Sequence, residues 1–548
     1  MDKETFNTPG VRPQAGRGCD ILLVGFEGQE NLGLRSIAAY LQSNGVRAKI
    51  LPCHNLSLAE MIARVQDEQP KIVGFSLIFQ RLLPSFAEMI GALRSAGIES
   101  HFTIGGHFPT IEYRTILEMI PALDSVVRHE GEESLFELYQ KVDQPETWDS
   151  IRGIAFRRGQ ETIVTPPRPL IADLDRLPFV LRGGPVANHR GLGICSITSS
   201  RGCYYDCTFC SIHEFYREPR GPKRRVRSPS HVAEEMQRLF EEREIRIFIF
   251  QDDDIYMRGR HHRQWLEEFL HELEVRDLIG KILWRISCRI DDLESDMLQR
   301  MKTAGLASVY LGIESGCDDG LKTFNKHYSV KDVYQGVEIL NAINLPFEFG
   351  FMILEPESTL QSVRHNVEFL KRITAHGAAL ANFCKTAPYA GTKIAQRLKE
   401  EGRLLGTVDS PDYCFNDPRL NFLQLFISQT FNFRNFSDHG AVERLRFAKF
   451  DTMVVEKFFA EAYDVAYYAA QVRNLIERSN ISALETLSLA VGLMERCIED
   501  QILNYWPLLE RWQRAEMANQ QQVTEALDQV QSTVGFAPQA LIPSLALS

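Results

Sequence analysis

Three cysteines on one short segment are the residues of this chain whose type and spacing could support chemistry. Cys203, Cys207 and Cys210 follow a C-x3-C-x2-C pattern, Phe209 stands directly before the third thiol, and no fourth cysteine follows nearby. A closed iron–sulfur cluster or a structural zinc site normally takes four protein ligands. Three thiolates can hold three irons of a [4Fe–4S] cluster and leave the fourth iron open for a small chelating ligand. Such an open position indicates a reactive centre.

Two other uses of these thiols stay open at this point. A zinc knuckle could recruit His213, which lies three residues beyond Cys210, although such sites usually take a second ligand pair further along the chain. A disulfide is the other alternative. The 11 cysteines are odd in number and scattered, and no secretory leader is recognisable, so a reducing compartment is the expectation.

The predicted elements around the cysteines favour the cluster. Residues 191–198 read as a short buried strand, the cysteine loop follows directly, and strands alternate with helices to about residue 395. This arrangement resembles the radical S-adenosylmethionine (radical SAM) superfamily, which carries such a triplet after the first strand of a partial (β/α)6 barrel. The resemblance implies a [4Fe–4S] cluster whose open iron chelates SAM, and one-electron cleavage of SAM to a 5′-deoxyadenosyl radical.

Further motifs of the barrel segment resemble that family. Asp252 and Asp253 follow a predicted strand and match the paired acids of its DDxF pattern, with Ile255 in place of the aromatic residue. The resemblance implies that these acids face the ammonium of SAM and that Arg289 meets its carboxylate. Glu314, in an LGxES-like segment, would accept hydrogen bonds from its ribose or amine. A solvated turn of acids and a surface salt bridge of Arg289 remain the alternatives.

A second group of motifs precedes the barrel, where strands predicted at 20–26, 46–51, 71–76, 101–104 and 125–128 alternate with helices. This alternation predicts a doubly wound parallel sheet, in which ligands bind beyond the carboxyl ends of the strands. Glycines there let the backbone approach a bulky ligand, and helix N-termini favour phosphate. The candidate ligand contacts in these loops are Asn31, Gly33, Ser76, Gly105, Gly106, His107, Glu130 and Gly131.

This segment resembles the cobalamin-binding domain of B12-dependent radical SAM enzymes. The GGxHPT-like and (G/H)EGE-like loops that border the corrin in that family read GGHFPT and HEGE here. The resemblance therefore implies bound cobalamin. The chain lacks the D-x-H-x-x-G motif that supplies an axial histidine, so we expect base-off cobalamin without a protein histidine on cobalt. A Rossmann-like domain that binds nothing, or another cofactor, is the alternative.

The 548 residues predict an α/β protein of several domains. We expect a flexible N-terminus (1–18), a Rossmann-like cobalamin-binding domain (19–145), a linker (146–190), a partial radical SAM barrel (191–400) and a mostly helical C-terminal domain (401–548). Within the last, a glutamine run at 520–522 and the tail are predicted to be solvated. A basic run at 217–227 is compatible with a solvated loop or with a contact to substrate or partner.

Charge and hydropathy exclude some classes of function. A formal net charge of −11 argues against a general nucleic-acid or anionic-membrane surface. No apolar run approaches the length of a membrane span and no signal peptide is recognisable, which favours the cytoplasm. The expected partners are a small-molecule substrate and an electron donor such as flavodoxin or ferredoxin.

The resemblances together predict a cobalamin-dependent radical SAM enzyme. The favoured reaction is methyl transfer from methylcobalamin to an unactivated carbon of a small molecule or biosynthetic intermediate. Relatives with the same domains also catalyse cyclisations and ring rearrangements, so domain content leaves the reaction open. A radical SAM enzyme without cobalamin and a noncatalytic iron–sulfur sensor are further alternatives. Beyond the cofactor contacts, no catalytic residue is assigned.

Overall fold

The N-terminal segment folds around a sheet whose strands are apolar on both faces; every residue of β1 (Ile21–Gly25) is buried. The computed structural model describes residues 18–28 and 30–534, so the predicted flexible N-terminus lies outside the described residues except for residue 18. The further strands of this sheet are β2 (Ala48–Pro52), β3 (Ile72–Ser76), β4 (His101–Gly105), β5 (Ser125–Val127), β6 (Ile154–Arg158) and β7 (Glu161–Val164). Their order is β2-β1-β3-β4-β5-β6-β7, and β1 to β5 pair in parallel.

Helices cover both faces of this sheet. They are α1 (Leu32–Ser43), α2 (Leu58–Glu68), α3 (Leu83–Ser95), α4 (His107–Ile111), α5 (Tyr113–Met119) and α6 (Glu132–Lys141). Helices α1 and α6 pack with Ile21 and Leu23 on one face, whereas α2, α3 and α5 pack with Leu22 and Val24 on the other. The doubly wound sheet predicted from strand–helix alternation is therefore confirmed, and its carboxyl edge is where ligands of such sheets bind.

The segment predicted as a linker has two parts. Its first part is the hairpin β6–β7, which pairs antiparallel with β5 and so extends the N-terminal sheet. Its second part, residues 165–186, contains no β-strand or α-helix and leads to the second sheet. The N-terminal sheet is therefore larger than the alternating strands alone predict, because the hairpin covers the edge that β5 would otherwise leave unpaired.

The second sheet is an open, curled half-barrel. Its strands are β8 (Ala187–His189), β9 (Leu192–Ile197), β12 (Ile245–Phe250), β13 (Leu283–Cys288), β14 (Leu306–Glu314), β15 (Phe347–Leu354) and β16 (Cys384–Lys385), while β10 (Ser200–Arg201) and β11 (Arg225–Val226) form a separate ladder. Within the half-barrel sheet, neighbouring strands among β9, β12, β13, β14, β15 and β16 pair in parallel, and β8 pairs antiparallel with β9 at the edge. The connecting helices are α7 (Ser211–Phe215), α8 (Pro229–Arg243), α9 (Arg260–Val275), α10 (Ser295–Thr303), α11 (Asp318–Thr323), α12 (Val330–Ala342), α13 (Leu360–Ile373) and α14 (Lys393–Glu400).

The sixth barrel strand differs from its prediction. The sequence predicts a strand at 380–384, but β16 has only 2 residues and begins at Cys384. The backbone before it bonds to side chains of the C-terminal helices instead: Asn480 accepts from Ala381 N at 2.9 Å, and Arg434 donates to the Ala381 carbonyl at 2.8 Å. These side chains satisfy the backbone groups that a strand partner would otherwise satisfy.

The C-terminal region is mostly helical, as predicted. After a hairpin of β17 (Leu404–Gly406) and β18 (Pro411–Tyr413) come α15 (Pro418–Phe436), α16 (Ala441–Phe458), α17 (Val465–Arg496) and α18 (Trp506–Thr533). Helix α16 packs Phe447, Phe450 and Val454 against inward-facing residues of the half-barrel. The C-terminal helices therefore close one end of the barrel.

The glutamine run at 520–522 lies within α18, and its prediction as wholly solvated is wrong for Gln520. That side chain is buried and donates to the Ser479 carbonyl at 3.3 Å, because α18 packs directly on α17. The tail beyond residue 534 lies outside the described residues. Over the described part of the chain, no helix combines the length and apolar character that crossing a membrane requires.

Candidate cofactor site

The cysteine loop leaves the carboxyl end of β9 and is anchored to the segment that follows α11. Thr208 donates from its backbone to the Phe324 carbonyl at 3.1 Å and from its hydroxyl to the Thr323 carbonyl at 2.6 Å. The Asn325 amide donates to the Asp206 carboxylate at 2.7 Å. These contacts join two motifs that are far apart in sequence, and they hold the loop at the mouth of the half-barrel, where barrel enzymes bind their ligands.

The thiols of Cys203, Cys207 and Cys210 are free and half-buried. Burial raises the pKa of the Cys203 and Cys210 thiols to about 12. Burial also raises the pKa of Cys207, although the charges of Lys326 and Arg289 oppose the rise. Thiolates at such positions need the positive charge of a bound metal to form. Sulfur ligands without competing oxygen ligands fit an iron–sulfur cluster.

Within residues 18–28 and 30–534, no three His, Cys, Asp or Glu side chains converge as ligands of one metal ion. The three thiolates of a cubane cluster bind different iron atoms, so they need not converge on a single point. The zinc alternative would use His213 as its fourth ligand. In the structure, Nδ1 of His213 lies 3.5 Å from a carboxylate oxygen of Glu214.

The three acids after β12 have different environments. Asp252 is buried, and its carboxylate accepts from Ser199 N at 3.0 Å and from the Ser199 and Ser200 hydroxyls at 2.8 and 2.5 Å. Asp253 is exposed and accepts from Gly202 N at 3.1 Å. Asp254 is buried, and neither of its carboxylate oxygens has a hydrogen-bond partner among the described residues. The solvated-turn alternative therefore fails for Asp252 and Asp254, and Asp253 is the acid with an accessible carboxylate.

Arg289 lies directly beneath the cysteine loop. It is 6% exposed, so the surface salt-bridge alternative is wrong. Its guanidinium pairs with both carboxylate oxygens of Asp291 at 3.0 and 3.1 Å and lies 3.7 Å from the ring centroid of Tyr205. Because Tyr205 stands between Cys203 and Cys207, the arginine supports the loop by a cation–π contact.

Glu314 ends β14 and points into the barrel next to Lys326, whose Nζ lies 3.4 Å from Oε1. Burial raises the pKa of this carboxyl, and the Lys326 ammonium opposes the rise. A Cβ atom added at Gly312 or Gly350 would lie 2.7 or 3.2 Å from a Glu314 oxygen. Glycine at these two neighbouring positions therefore lets the Glu314 carboxylate lie directly against both strands.

Gly202, directly before Cys203, occupies a position where backbone conformation and packing both disfavour any larger residue. Its φ is +82°, and an added Cβ would lie 1.9 Å from the Lys223 carbonyl oxygen. We expect Gly202→Ala to lower the free energy of unfolding by at least about 3 kcal/mol, because the left-handed backbone costs about 1 kcal/mol and the clash adds to it.

Gly191 provides a matched control for this substitution. Its φ is +81° and no atom lies within 4 Å of an added Cβ. Gly191→Ala should therefore cost only about 1 kcal/mol. Denaturant unfolding of the two variants measures the difference, and equal losses would contradict the packing role of Gly202.

At the carboxyl edge of the N-terminal sheet, Asn31 and Ser76 contact each other. The Asn31 amide donates to the Ser76 hydroxyl at 3.1 Å, while its oxygen caps α1 by accepting from Leu34 N at 3.0 Å. At Gly33, in the first turn of α1, an added Cβ would meet only the Asn31 oxygen, at 3.7 Å. The start of α1 is therefore open to a ligand, and a helix N-terminus there suits phosphate.

The loop after β4 packs tightly on its neighbours. A Cβ at Gly105 would lie 3.1 Å from the Val127 carbonyl oxygen, and one at Gly106 would lie 2.3 Å from that of Leu77. Both glycines therefore allow close packing between loops of the protein itself. The His107 ring lies 4.4 Å from the ring of Phe215, which ends the short helix after the cysteine loop. This contact joins the predicted cobalamin edge to the cluster segment.

The loop after β5 makes a charged contact with the barrel. The Glu130 carboxylate accepts from Arg201 at 3.1 Å, from Arg225 at 2.9 Å and from Ile171 N at 3.0 Å. A Cβ at Gly131 would lie 2.8 Å from Cδ1 of Ile37, so this glycine permits α6 to pack on α1. The structure therefore brings the two groups of predicted site residues together at one interface.

The basic run at 217–227 is part of this interface. Arg224, Arg225 and Arg227 are all buried, so the solvated-loop alternative is wrong for them. Arg224 donates to the Asp254 carbonyl at 2.9 Å, and Arg227 donates to the Glu235 carboxylate at 2.6 Å. The arginines serve internal contacts between the N-terminal domain, the cysteine loop and the barrel.

Sequence reasoning missed Glu30, which also joins the two domains. Its carboxylate accepts from Ser196 N in β9 at 2.7 Å and from Arg182 at 3.0 Å. An acidic residue beside Asn31 could have been noted as a candidate. Its partners lie about 150 residues away in the chain, however, and no local pattern indicates them.

His129 gives this interface a predicted pH dependence. Burial lowers the pKa of its imidazole from 6.5 to about 4, and Nδ1 lies 2.7 Å from the Phe215 carbonyl oxygen. Because the unfolded chain binds the proton first, stability is lost as the pH falls from 6.5 towards 4. We expect about 2 kcal/mol of this loss at pH 5.

His129→Asn should remove that part of the pH dependence, since asparagine tolerates the φ of +64° at this position. The measurement is the urea midpoint at pH 7 and pH 5. His376→Asn, at an exposed position whose φ of +57° asparagine also tolerates, is the comparison variant. An unchanged slope in His129→Asn would contradict the prediction.

Comparisons with known proteins identify both segments of the chain. A model of the radical SAM superfamily matches residues 197–370, and a model of the B12 binding domain matches residues 23–138. The chain is 28% identical over 355 residues to the anaerobic magnesium-protoporphyrin IX monomethyl ester cyclase of Cereibacter sphaeroides, covering 63% of this chain and 56% of that protein. The match to the hopanoid C-3 methylase of Methylococcus capsulatus has 25% identity over 376 residues, covering 66% of this chain and 68% of that protein.

A solved structure shares the fold over nearly the whole chain. The cobalamin-dependent S-adenosylmethionine radical enzyme OxsB, with aqua-cobalamin bound, aligns with a TM-score of 0.67 at 15% identity, covering 96% of this chain and 83% of that one. By contrast, the aligned segment spans little more than half the length of the cyclase.

Proposed function

Since the chain belongs to the radical SAM enzymes that carry a cobalamin-binding domain, we propose that it methylates an unactivated carbon of a small-molecule substrate. The observation that carries the proposal is the direct contact of the cobalamin-domain edge with the cluster segment, through His107 on Phe215 and Glu130 on Arg201. The two halves of the site are thereby held close enough to act on one substrate.

The family's cofactors are a [4Fe–4S] cluster, SAM and cobalamin, which when bound supply one-electron cleavage of SAM and a transferable methyl group. We assign the cluster to the thiolates of Cys203, Cys207 and Cys210. Their position on one loop, anchored by Thr208 to the barrel, supports this assignment. Asn31, Gly33 and Ser76, at the open start of α1, are assigned to the polar part of cobalamin.

For SAM, we assign Asp253 and Glu314 to its cationic ammonium and ribose. Asp253 is the exposed acid after β12, and Glu314 ends β14, so both acids lie at the carboxyl edge of the half-barrel. Asp252 would act through Ser199 and Ser200, because its carboxylate is occupied by those two residues. Arg289 is assigned to the SAM carboxylate and supports the loop through Tyr205.

We place the substrate in the barrel interior. Gly312 and Gly350 lie next to each other on β14 and β15 and add no side chain to that interior. Helix α16 closes one end of the barrel, and the N-terminal domain lies against the other. These walls would exclude water from a reactive substrate, which a radical reaction requires. The reaction also requires a low-potential electron donor, such as flavodoxin or ferredoxin, and we propose a cytoplasmic location.

Ring formation is the second candidate function, and the similarity to the Cereibacter sphaeroides cyclase favours it. Metabolites of a strain lacking the gene, compared with its parent by mass spectrometry, identify the substrate that accumulates. Purified enzyme, reconstituted anaerobically with iron, sulfide and hydroxocobalamin, is then given that substrate and SAM. A methyltransferase yields 5′-deoxyadenosine together with a product heavier by one methyl group, whereas a cyclase yields 5′-deoxyadenosine without that gain. Absence of SAM cleavage would overturn both.

A further inference from the structure

Two arginines and two glutamates form a buried charge cluster at the start of the cysteine loop. Arg201 and Arg225 are direct cross-strand partners in the β10–β11 ladder. Glu130 accepts from both of them, at 3.1 and 2.9 Å. Glu132 accepts from Arg201 at 2.6 Å. Both glutamates belong to the N-terminal domain, and both arginines belong to the barrel segment.

The cluster needs both glutamates for electrostatic reasons. Like charges directly opposite each other on paired strands destabilise the pairing. Here the Glu130 carboxylate contacts both guanidinium groups and offsets their repulsion. With Glu132 beside Arg201, two negative charges balance the two positive ones. The Glu130, Glu132 and Arg225 side chains are 9%, 3% and 2% exposed, so water can replace little of their interaction. The Arg201 side chain is 21% exposed. Removing one partner of a buried ion pair is strongly destabilising.

The three residues before Cys203 are each tied to a different group. The barrel holds Ser200 through Asp252 and Gly202 through Asp253. The side chain of Arg201, between them, is held by the N-terminal domain, through two glutamates and the Ser36 hydroxyl. The first cysteine therefore follows a segment whose position depends on both domains at once.

We propose that Glu130 and Glu132 are positioning residues: through Arg201 they set the place of the cysteine loop relative to the cobalamin domain. Their carboxylates are occupied by protein groups, which assigns them to the domain interface and not to direct contact with the corrin. The inference rests on the proposed function, because it assumes that the loop holds the cluster. It predicts that loosening these contacts uncouples SAM cleavage from product formation.

Glu130→Gln is the main test, and Glu133→Gln is its matched control. Glu133 stands in the same turn and pairs with Arg168 of the connecting segment at 3.3 Å, away from the cysteine loop. The reconstituted holoenzymes are compared by hydrogen–deuterium exchange of peptides covering residues 198–212. We expect exchange there to rise about 10-fold in Glu130→Gln and to stay unchanged in Glu133→Gln.

Two further measurements distinguish a shifted cysteine loop from a general loss of stability. They are the electron paramagnetic resonance spectrum of the cluster and the ratio of 5′-deoxyadenosine to product. Glu130→Gln should keep the wild-type iron content and corrinoid absorbance, but its reduced cluster should show an altered electron paramagnetic resonance spectrum when SAM is added. The ratio of 5′-deoxyadenosine to product should rise about 10-fold, which corresponds to about 1.4 kcal/mol. Arg201→Lys keeps the positive charge but loses the fork geometry that reaches both glutamates, so we expect the same changes in exchange, spectrum and product ratio. Agreement between the two variants would show that these changes do not arise from misfolding of Glu130→Gln.

The outcomes separate this inference from the function on which it rests. Wild-type exchange, spectrum and product ratio in both Glu130→Gln and Arg201→Lys would overturn the positioning role while leaving the enzyme's function intact. Loss of corrinoid binding in Glu130→Gln with unchanged exchange of the cysteine loop would also overturn it, in favour of a direct cobalamin contact. A wild-type enzyme that cleaves no SAM would instead overturn the proposed function.

Discussion

We expect the Cys207→Ala variant to form no detectable 5′-deoxyadenosine from SAM and to retain less iron than the wild type after anaerobic reconstitution. The reason is that three protein ligands already leave one of the four irons without a protein ligand, and removal of Cys207 would leave a second one in that state. We expect a loss of SAM cleavage of at least about 1,000-fold, which corresponds to about 4 kcal/mol in the activation barrier. Cys207 is the middle thiol of the loop and lies between the anchors at Gly202 and Thr208.

Cys195→Ala is the matched control for that experiment. Cys195 lies on β9, eight residues before the first loop cysteine, and is buried in the barrel core. Its replacement should leave iron content and SAM cleavage near wild-type values, with only the modest loss of stability that accompanies removal of a small buried side chain. Zinc in the loop of the wild type, with no iron–sulfur resonance after reduction, would contradict the cluster assignment itself.

The second large effect is expected at the pair of Glu314 and Lys326. Glu314→Gln removes the carboxylate but leaves the Lys326 ammonium buried, with 5% of its side chain exposed. Breaking a buried pair in this way costs about 3–5 kcal/mol of stability. If the carboxylate also binds SAM through charge-assisted hydrogen bonds worth about 1.5–3 kcal/mol, then SAM affinity falls by about 10- to 100-fold.

The double variant Glu314→Gln with Lys326→Met separates the two effects. Neutralising both partners removes the uncompensated buried charge, so most of the lost stability should return. SAM affinity should stay low, because the carboxylate is still absent. Thermal unfolding and equilibrium binding of SAM to the reconstituted enzyme measure the two quantities. Recovery of SAM affinity together with stability would show that Glu314 acts through folding alone.

Much of the fold could be predicted because its strands carry local signals. The five parallel strands of the N-terminal sheet and the first five parallel strands of the half-barrel are short apolar runs that end at glycine, acidic or turn residues, and they occur where the sequence predicts them. The sixth strand could not be predicted correctly. Residues 379–383 are mostly as apolar as a strand. Their backbone, however, forms hydrogen bonds with the side chains of Asn480 and Arg434 in the C-terminal helices.

The basic run at 217–227 shows a second limit of sequence reasoning. Charge runs usually lie on solvated surfaces, yet Arg224, Arg225 and Arg227 are buried. A charge can be buried when it is paired, and the carboxylates that pair with Arg225 and Arg227 come from Glu130 and Glu235. The composition of the run itself contains no information about these partners.

Sequence alone determined the type of chemistry, since the spacing of Cys203, Cys207 and Cys210 along one loop follows directly from the order of residues. Tertiary structure decided which acid stays accessible beside that loop and how the two domains meet. Glu130 lies 71 residues from Arg201 and 95 from Arg225, and only folding brings these charges within hydrogen-bond distance. The physical reason is that covalent spacing sets local geometry, whereas the pairing of buried charges depends on which surfaces pack together.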